Sequence, residues 1–267
     1  MGTFVQWLEE LAPPDLAASW DNVGLQVGDP DRRVQKVMVS LDPSFAVVEE
    51  AIDRGCDLIV THHPLIFKPL KKITSDNLVG RILLALIFNG ISVISAHTNL
   101  DATKGGVNDT LATLLGLKHV QAVGETGADI DDSQPGGMAR LGEFEPGKSL
   151  EDLCGFLKER LSIPHVRVVS GPDSGVIKKV LVCGGSGGTM LEVALKLGCD
   201  ALISGDIKYH DAINARENNL TVLDVGHFGS EHVIVAELAR YFESRIGERG
   251  GVEIIQAKGE VDPFAIV

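Results

Sequence analysis

The chain contains two copies of one segment, and this duplication constrains the fold more than any other feature. Residues 36–61 align without a gap on residues 179–204, a constant shift of 143 (179 − 36), and a Gly-Cys-Asp triplet occupies equivalent positions in both copies. Each copy runs from an apolar, β-branched stretch through an amphipathic stretch to a second apolar stretch, which is typical of a β-α-β unit. The sequence therefore predicts a duplicated α/β fold with parallel strands.

Hydrophobic periodicity extends this pattern along the chain. The first copy predicts strands at 37–41, 57–60 and 91–95 and helices at 45–54 and 77–88. In the second copy, the stretch 220–225 corresponds to the strand at 91–95 with one residue inserted, and 233–242 has helical periodicity. Between the copies, the pattern predicts a strand at 138–144, a helix capped by Ser149 that ends at Leu161, and a strand at 165–169.

Composition and charge exclude several functional classes. A chain of 267 residues that is 44% hydrophobic can bury a large core, as one domain or as two lobes. Its net charge of -13 argues against a nucleic-acid partner that is held through its phosphate backbone. The longest apolar run, 82–88, is too short to cross a membrane, and the N-terminus lacks a signal-peptide pattern, so we expect a cytoplasmic protein without a membrane partner. The four cysteines are far apart and are expected to be reduced core residues.

Two adjacent histidines, His62 and His63, end the second strand of the first copy and precede Pro64. Because proline cannot continue a central ladder, both imidazoles can turn into the crevice at the carboxyl end of the sheet. Imidazole is a common metal ligand, but adjacent histidines also occur as solvated or hydrogen-bonded groups on turns. The dyad alone is equally compatible with both interpretations.

In each copy, the last strand is followed by a histidine and, four residues later, by a carboxylate. The two pairs are His97 with Asp101 and His227 with Glu231. Four residues make about one helical turn, so Glu231 shares a face with His227 if a helix begins near Phe228. Two copies that meet along a pseudo-twofold axis would bring these residues and the dyad into one crevice. Mixed histidine and carboxylate ligation suits zinc, iron, manganese or cobalt, and bridging carboxylates allow two ions about 3.5 to 4 Å apart. A lone histidine is more often a hydrogen-bonded group, but the matching spacing favours metal for the set.

Three further segments leave alternatives open. The loop 19–29 is predicted to be a structural loop anchored by Trp20 more readily than a ligand-contacting loop. The glycine-rich stretch 184–188 is predicted to be a tight turn, with an anion or nucleotide contact as the alternative. Asp206 and His210, in the stretch 206–211, can act as partners of metal ligands or as a general acid and base, whereas a solvated helix start explains them almost as well.

Five segments, in order along the chain, resemble signature segments of the Nif-three-like family, which is also catalogued as GTP cyclohydrolase I type 2 homologs. The resemblance runs from about Phe4 to Phe264, and the five segments are 19–25, 61–67, 97–101, 205–210 and 226–231. It implies a fold of two duplicated α/β lobes related by a pseudo-twofold axis, with layered sheets flanked by helices. The two lobes would form a single domain over 1–267, with halves of about 1–123 and 124–267 and no inserted domain. It also implies a ring-shaped homohexamer with the metal sites facing an inner cavity.

The resemblance further implies a dinuclear metal centre with two divalent ions per chain, for which zinc, iron, manganese and nickel are all acceptable. Its implied ligands are His62, His63, Asp101, His227 and Glu231, and His97 lies close by. His97, Asp206 and His210 are the candidates for catalytic acid or base.

Two functions fit this set of residues. One is a metal-dependent hydrolase, in which a metal-bridged water attacks a nucleotide or another phosphoester. The family's catalogue name would make the substrate GTP, although a shared fold and ligand set do not fix the substrate. The alternative is a metal-binding protein without turnover, such as a metal-handling or interaction scaffold.

Overall fold

The chain forms two compact units, each built around one β-sheet. The computed structural model describes residues 1–124, 136–171, 175–247 and 250–266. Unit 1 comprises Met1–Leu100 and Ile234–Val267, and unit 2 comprises Asp101–Val233. Two sheets flanked by helices confirm the predicted mixed α/β class. The predicted division of a single domain into halves 1–123 and 124–267 stays a prediction.

Most strands have three to six residues, and those of the two repeated β-α-β units are rich in valine and isoleucine, as the hydrophobic pattern indicates. They are β1 (Gly24–Val27), β2 (Lys36–Ser40), β3 (Leu58–Thr61), β4 (Ser92–Ser95), β5 (Lys118–Val123), β6 (Ala139–Lys148), β7 (Arg167–Val169), β8 (Ile177–Ser186), β9 (Ala201–Gly205), β10 (Thr221–Asp224) and β11 (Glu253–Gln256).

Several helices begin at residues whose side chains accept a hydrogen bond from the first turn. Ser44, Asn77 and Ser149 accept from the backbone N–H three residues later, and Ser149 was predicted to do so. The α-helices are α1 (Gly2–Leu11), α2 (Phe45–Asp53), α3 (Leu78–Asn89), α4 (Thr98–Ala102), α5 (Val107–Leu114), α6 (Leu150–Leu161), α7 (Leu191–Lys196), α8 (Tyr209–Glu217), α9 (His227–Glu231) and α10 (Val233–Ile246). Among the helices of the described residues, none has the length and apolar character needed to cross a membrane.

The sheet of unit 1 has the strand order β1-β4-β3-β2-β11. Strands β4, β3, β2 and β11 are mutually parallel where they pair, and β1 pairs antiparallel with β4 at the edge. The segment that contains β1 was predicted to be a loop, and this prediction was wrong for residues 24–27. Their pairing with β4 is a long-range contact, so local turn residues did not reveal it.

The sheet of unit 2 has the strand order β5-β6-β8-β9-β10-β7. Its centre, β8-β9-β10, is parallel, whereas β5, β6 and β7 add antiparallel strands at the two sides. Successive residues of the central strands pack alternately into two hydrophobic clusters: Val180 and Val182 belong to one, and Leu181 and Cys183 belong to the other. The sheet is therefore buried on both faces, as parallel sheets usually are.

The two units repeat the same strand register, as the duplication predicts. In unit 1, Val37 pairs with Leu58. In unit 2, Val180 pairs with Ala201, and each of these residues lies 143 positions after its counterpart. The copies thus share their central β-α-β architecture as well as their sequence.

An aspartate at the start of the second strand of each copy supports this register. Asp57 Oδ2 accepts hydrogen bonds from the backbone N–H groups of residues 35 and 36, at 2.7 and 3.1 Å. Asp200 Oδ2 accepts from those of residues 178 and 179, at 2.9 and 2.7 Å. The Gly-Cys-Asp triplet that both copies share therefore has a structural role, because its aspartate joins two neighbouring strands.

Candidate metal centre

The adjacent histidines His62 and His63 lie directly after β3, at the carboxyl end of the unit 1 sheet. Their backbone N–H groups continue the parallel ladder by donating to Ser40 O and Leu41 O, at 3.4 and 2.9 Å. His62 is fully buried and His63 is half-buried. Their ring centroids are 4.9 Å apart. The backbone thus leaves the strand so that both imidazoles lie side by side, as the following proline predicts.

His97 joins this pair from the end of the neighbouring strand β4. Its ring centroid lies 5.2 Å from that of His62 and 5.5 Å from that of His63. One ring nitrogen from each of the three lies within 4.8 Å of the other two. These three residues, here called the histidine cluster, can hold a divalent cation.

The dyad histidines each have one ring nitrogen engaged by an oxygen acceptor. His62 Nδ1 lies 2.9 Å from Ala96 O, and His63 Nδ1 lies 2.8 Å from Asp42 Oδ1. A carbonyl oxygen only accepts, so Nδ1 of His62 carries the proton. Nε2 is then the nitrogen that has a lone pair for a metal, which is the arrangement typical of metal-ligating histidines.

His97 is oriented in the same way by Asp21. His97 Nδ1 lies 2.9 Å from Asp21 Oδ1, and Thr98 donates to Asp21 Oδ2 from both its backbone N–H and its hydroxyl. Burial alone would raise the pKa of the Asp21 carboxyl, but the hydrogen bonds from His97 and Thr98 outweigh it and hold that pKa well below its ordinary value. Asp21 is therefore ionised and stabilises the Nδ1-protonated imidazole.

A second group of candidate metal ligands lies in unit 2. A carboxylate oxygen of Asp101, in α4, lies within 4.8 Å of one of Glu231, in α9. His227 Nε2 lies 2.9 Å from Glu231 Oε2, so the helical turn predicted for this pair is confirmed. Asp101 and Glu231 are only 7% and 3% exposed. These three residues are here called the carboxylate cluster, and two acidic groups so close together and so buried favour a cation between them.

Asp206 orients His227 as Asp21 orients His97. Asp206 Oδ2 lies 2.8 Å from His227 Nδ1. Asp206 follows β9 at the position equivalent to His63, with a φ of 53°, a backbone conformation that few residues other than glycine adopt. The interpretation of Asp206 as a partner of a metal ligand therefore has direct geometric support.

His210, the third candidate for acid or base, is exposed in the first turn of α8. Its ring contacts that of Tyr209, with centroids 5.4 Å apart. It belongs to neither the histidine cluster nor the carboxylate cluster as the described residues define them. For His210, the alternative of a solvated helix start fits the structure better.

The glycine-rich stretch 184–188 lies against the carboxylate cluster. Gly185 has a φ of +63°, and a Cβ built on it would lie 2.1 Å from Glu231 Oε1 and 3.3 Å from His227 Nε2. Its backbone N–H donates to Ser230 Oγ at 3.0 Å. Residues 184–186 belong to β8, whose register shifts between Val182 and Ser186, so the prediction of a tight turn was wrong for these residues. Only glycine lets the backbone approach the Glu231 carboxylate so closely, which gives Gly185 a role in placing Glu231.

The cysteines lie outside both clusters. All four are free thiols, as predicted: Cys56, Cys154, Cys183 and Cys199. Burial raises the pKa of the Cys183 thiol far above its ordinary value, and the negative charges of Asp101 and Glu231 raise it further. Cys183 is therefore a protonated core residue beside the carboxylate cluster.

Two parts of the site were missed or misjudged from the sequence. The acceptors Asp21 and Asp42 were not singled out, although each lies in a loop at the edge where the histidines lie. The prediction that Trp20 anchors its loop was wrong, because its side chain is 60% exposed.

Known proteins are similar to this chain in sequence and in fold. The family model described as Duf34/NIF3 (NGG1p interacting factor 3) matches residues 1–263. A protein of Clostridium acetobutylicum named GTP cyclohydrolase 1 type 2 homolog is 36% identical over 258 residues, which are 96% of this chain and 95% of the relative. A relative of the same name from Clostridium perfringens is 35% identical over 267 residues, which are 100% of this chain and 99% of the relative.

Solved structures of similar proteins cover the whole chain. A Bacillus cereus protein related to NIF3 superposes with a TM-score of 0.91 at 25% identity, covering 99% of this chain and 98% of that one. A hypothetical protein of Staphylococcus aureus superposes with a TM-score of 0.89 at 30% identity, with the same coverage of 99% and 98%.

Proposed function

The chain belongs to the Duf34/NIF3 (NGG1p interacting factor 3) family, and from that premise we propose that it binds two divalent metal ions and uses them to hydrolyse a nucleotide or another phosphoester. The proposed ligands are the five residues that the family resemblance implies: His62, His63, Asp101, His227 and Glu231.

The observation that carries this proposal is the way in which the histidines are oriented. In each of His62, His63, His97 and His227, Nδ1 lies within 2.9 Å of an oxygen acceptor. Three of these acceptors are carboxylates, a partner that raises the basicity of the imidazole and fixes its tautomer. In His227, Nε2 also lies 2.9 Å from Glu231 Oε2. The shared use of Nδ1 for these contacts supports Nε2 as the nitrogen through which each imidazole would bind a metal.

The carboxylate cluster fits the same ions. Asp101 and Glu231 supply oxygen donors, and together with imidazole nitrogen they form a set that zinc, iron, manganese and nickel accept. Each buried carboxylate is costly in a medium of low dielectric constant unless positive charge lies nearby. A divalent cation would offset that cost.

The chemistry divides between the ions and the chain. When bound, two such ions supply Lewis acidity and lower the pKa of a coordinated water toward neutrality. His97 is the proposed acid or base, because Asp21 holds the proton on Nδ1 and stabilises the imidazolium that forms when Nε2 accepts a second proton. Asp206 holds His227 in position and is proposed as a positioning residue.

The substrate class to test first is a nucleotide. The curated relatives at 36% and 35% identity are named GTP cyclohydrolase 1 type 2 homologs, so GTP is a reasonable first probe. The two hydrolytic outcomes are distinguishable by product, since opening of the purine ring releases formate and phosphoester hydrolysis releases phosphate or pyrophosphate.

Turnover is the test of this proposal. Protein loaded in turn with zinc, iron, manganese and nickel is incubated with GTP and with p-nitrophenyl phosphate, beside a His63→Ala variant. We expect product above the variant with at least one metal. Metal-bound protein that turns over neither substrate above the His63→Ala control would contradict the hydrolase and leave the scaffold as the function.

We also propose the homohexamer that the family resemblance implies and the cytoplasmic location that the sequence pattern predicts. Sedimentation of the purified protein tests the first, with a mass of about six chains expected. Fractionation of cells that express the protein tests the second. A monomer in sedimentation or recovery in a membrane fraction would contradict the respective proposal.

A further inference from the structure

Two large aromatic side chains project into solvent beside the histidine cluster. Trp20 is 60% exposed and Phe67 is 47% exposed. Their ring centroids are 5.7 Å apart with an interplanar angle of 61°, and they lie 6.1 and 6.3 Å from the ring of His97. We call Trp20 and Phe67 the aromatic corner. It is continuous with the histidine cluster through its contacts with His97.

The two loops that carry the aromatic corner are braced against each other. Asn22 Nδ2 donates to Ile66 O at 2.5 Å, and Gln26 Oε1 accepts from the Ile66 backbone N–H at 2.7 Å. Gln26 Nε2 also donates to Asn22 O at 2.5 Å. The polar groups flanking the rings therefore hold them in place without burying them. A preorganised, exposed aromatic surface binds a flat ligand at a small cost in ordering.

The segment that follows Phe67 is locally cationic although the chain as a whole carries a net charge of -13. Lys68, Lys71 and Lys72 are all exposed, and the first acidic residue after Phe67 is Asp76. Lys72 Nζ lies 3.4 Å from Asp76 Oδ2. This leaves a surplus of positive charge in the segment that directly follows Phe67, which suits an anionic group on the same ligand.

We propose that the aromatic corner binds the base of a nucleoside triphosphate and that Lys68, Lys71 and Lys72 bind its phosphates. Bases stack on aromatic side chains irrespective of their identity because every base has a π-face, and lysines attract phosphate as point charges. This inference deepens the proposed function by assigning substrate-binding residues to it, and it rests on that proposal for the metal-dependent step. A simple phosphoester without a ring would not use the aromatic corner.

Tryptophan fluorescence offers a direct test, since the chain has two tryptophans. A Trp7→Phe variant leaves Trp20 as the reporter, and phenylalanine retains the aromatic contact that Trp7 makes with Phe4. We expect GTP to quench Trp20, guanosine to do so only at higher concentration, and ribose 5-phosphate to have no effect. The wild type offers the same test without the Trp7 substitution. There, GTP should change the tryptophan fluorescence, and this change should be lost in Trp20→Phe.

Binding measured by calorimetry then assigns the residues. Trp20→Ala and Phe67→Ala should each weaken the binding of GTP by about 5- to 100-fold, the range expected when one stacking partner is removed. Phe88→Ala, at a position that is 83% exposed on α3, is the matched control and should bind as the wild type does. Replacement of the three lysines by alanine should weaken the binding of GTP at least about tenfold at low salt. It should also make the GTP affinity less dependent on salt concentration. Lys118→Ala, exposed in β5, is the control for charge.

Three results would overturn the inference. They are a Trp20 signal that GTP leaves unchanged, unaltered GTP affinity in both aromatic variants, and a change of oligomeric state in those variants. The last result would make the aromatic corner a contact between copies of the chain.

Titration of metal-free and metal-loaded protein separates this inference from the proposed function. Metal binding without quenching of Trp20 would contradict the inference alone. Quenching in protein that binds no metal would support the inference and contradict the metal proposal.

Discussion

Nδ1 of His63 lies 2.8 Å from Oδ1 of Asp42, a carboxylate 21 residues earlier in the loop that follows the neighbouring strand β2. The loop itself is fixed by Glu260, whose carboxylate accepts from the backbone N–H groups of Leu41 and Asp42 at 2.9 and 2.8 Å. The orientation of His63 is therefore set by one residue from each of the two chain segments that form unit 1.

Removal of the Asp42 carboxylate should weaken metal binding. In Asp42→Ala, the His63 ring loses the partner that fixes its tautomer, and we expect a loss of about 10- to 100-fold in metal affinity, measured by competition with a chelator. Asp53→Ala, at an exposed position at the end of α2, is the control. Equal affinities in the two variants would mean that Asp42 does not support a ligand.

A methyl group at Gly185 should displace the Glu231 carboxylate. Gly185→Ala places a Cβ 2.1 Å from Glu231 Oε1, and we expect loss of at least one metal ion by elemental analysis. Gly198→Ala is a closely matched control, because Gly198 has a φ of +64° but a Cβ added there would meet no atom within 4 Å. Each substitution should lower the free energy of unfolding by about 1 to 2 kcal/mol, because alanine is disfavoured in the left-handed backbone conformation. Only Gly185→Ala should also lose metal. Full metal content in Gly185→Ala would contradict the proposed role of Gly185 in placing Glu231.

The duplicated aspartates should contribute similarly to stability. Asp57→Ala and Asp200→Ala each remove an acceptor for two backbone N–H groups, so we expect each to lower the free energy of unfolding by about 1 to 3 kcal/mol in urea. Asp53→Ala should stay within about 0.5 kcal/mol of the wild type. A loss in only one of the two aspartate variants would show that the equivalent bonds differ in importance.

The core thiols should resist alkylation. Burial raises the pKa of both Cys56 and Cys199 from 9.0 to about 11, so at pH 8 their thiolate fraction is about 100-fold smaller than that of an ordinary thiol. Between about pH 9 and pH 11, the folded protein therefore keeps the protons of these two thiols, whereas the unfolded chain has lost them. Their contribution to stability is thus fully present below about pH 9 and is lost as the pH rises through about 11. Mass spectrometry after iodoacetamide treatment should find these residues unmodified until urea is added, and rapid labelling of folded protein would contradict the prediction.

The sequence predicted the architecture wherever local pattern and repetition both applied. The shift of 143 residues predicted the matching registers of β2 with β3 and of β8 with β9, and the four-residue spacing of His227 and Glu231 predicted their contact on one helical turn. These features depend on periodicity and on spacing within a single element, which a sequence displays directly.

Features that depend on distant partners could not be predicted in the same way. Asp21 reaches His97 across 76 residues of sequence, and nothing in its local pattern marks it as a hydrogen-bond acceptor. Trp20 has the composition of a core residue, yet it is exposed because its loop is braced through side-chain hydrogen bonds and not through its ring. His210 is likewise exposed in the first turn of α8, which its residue type alone does not reveal.

Metal content per chain tests the central claim most directly. Protein without a tag is prepared without chelator and measured by elemental mass spectrometry beside Glu231→Ala, with Glu151→Ala, an exposed glutamate in α6, as the control. We expect about two transition-metal ions per chain in the wild type and in Glu151→Ala, and fewer in Glu231→Ala. Absence of stoichiometric metal from the wild type, even after reconstitution with zinc, iron, manganese and nickel, would contradict the dinuclear centre.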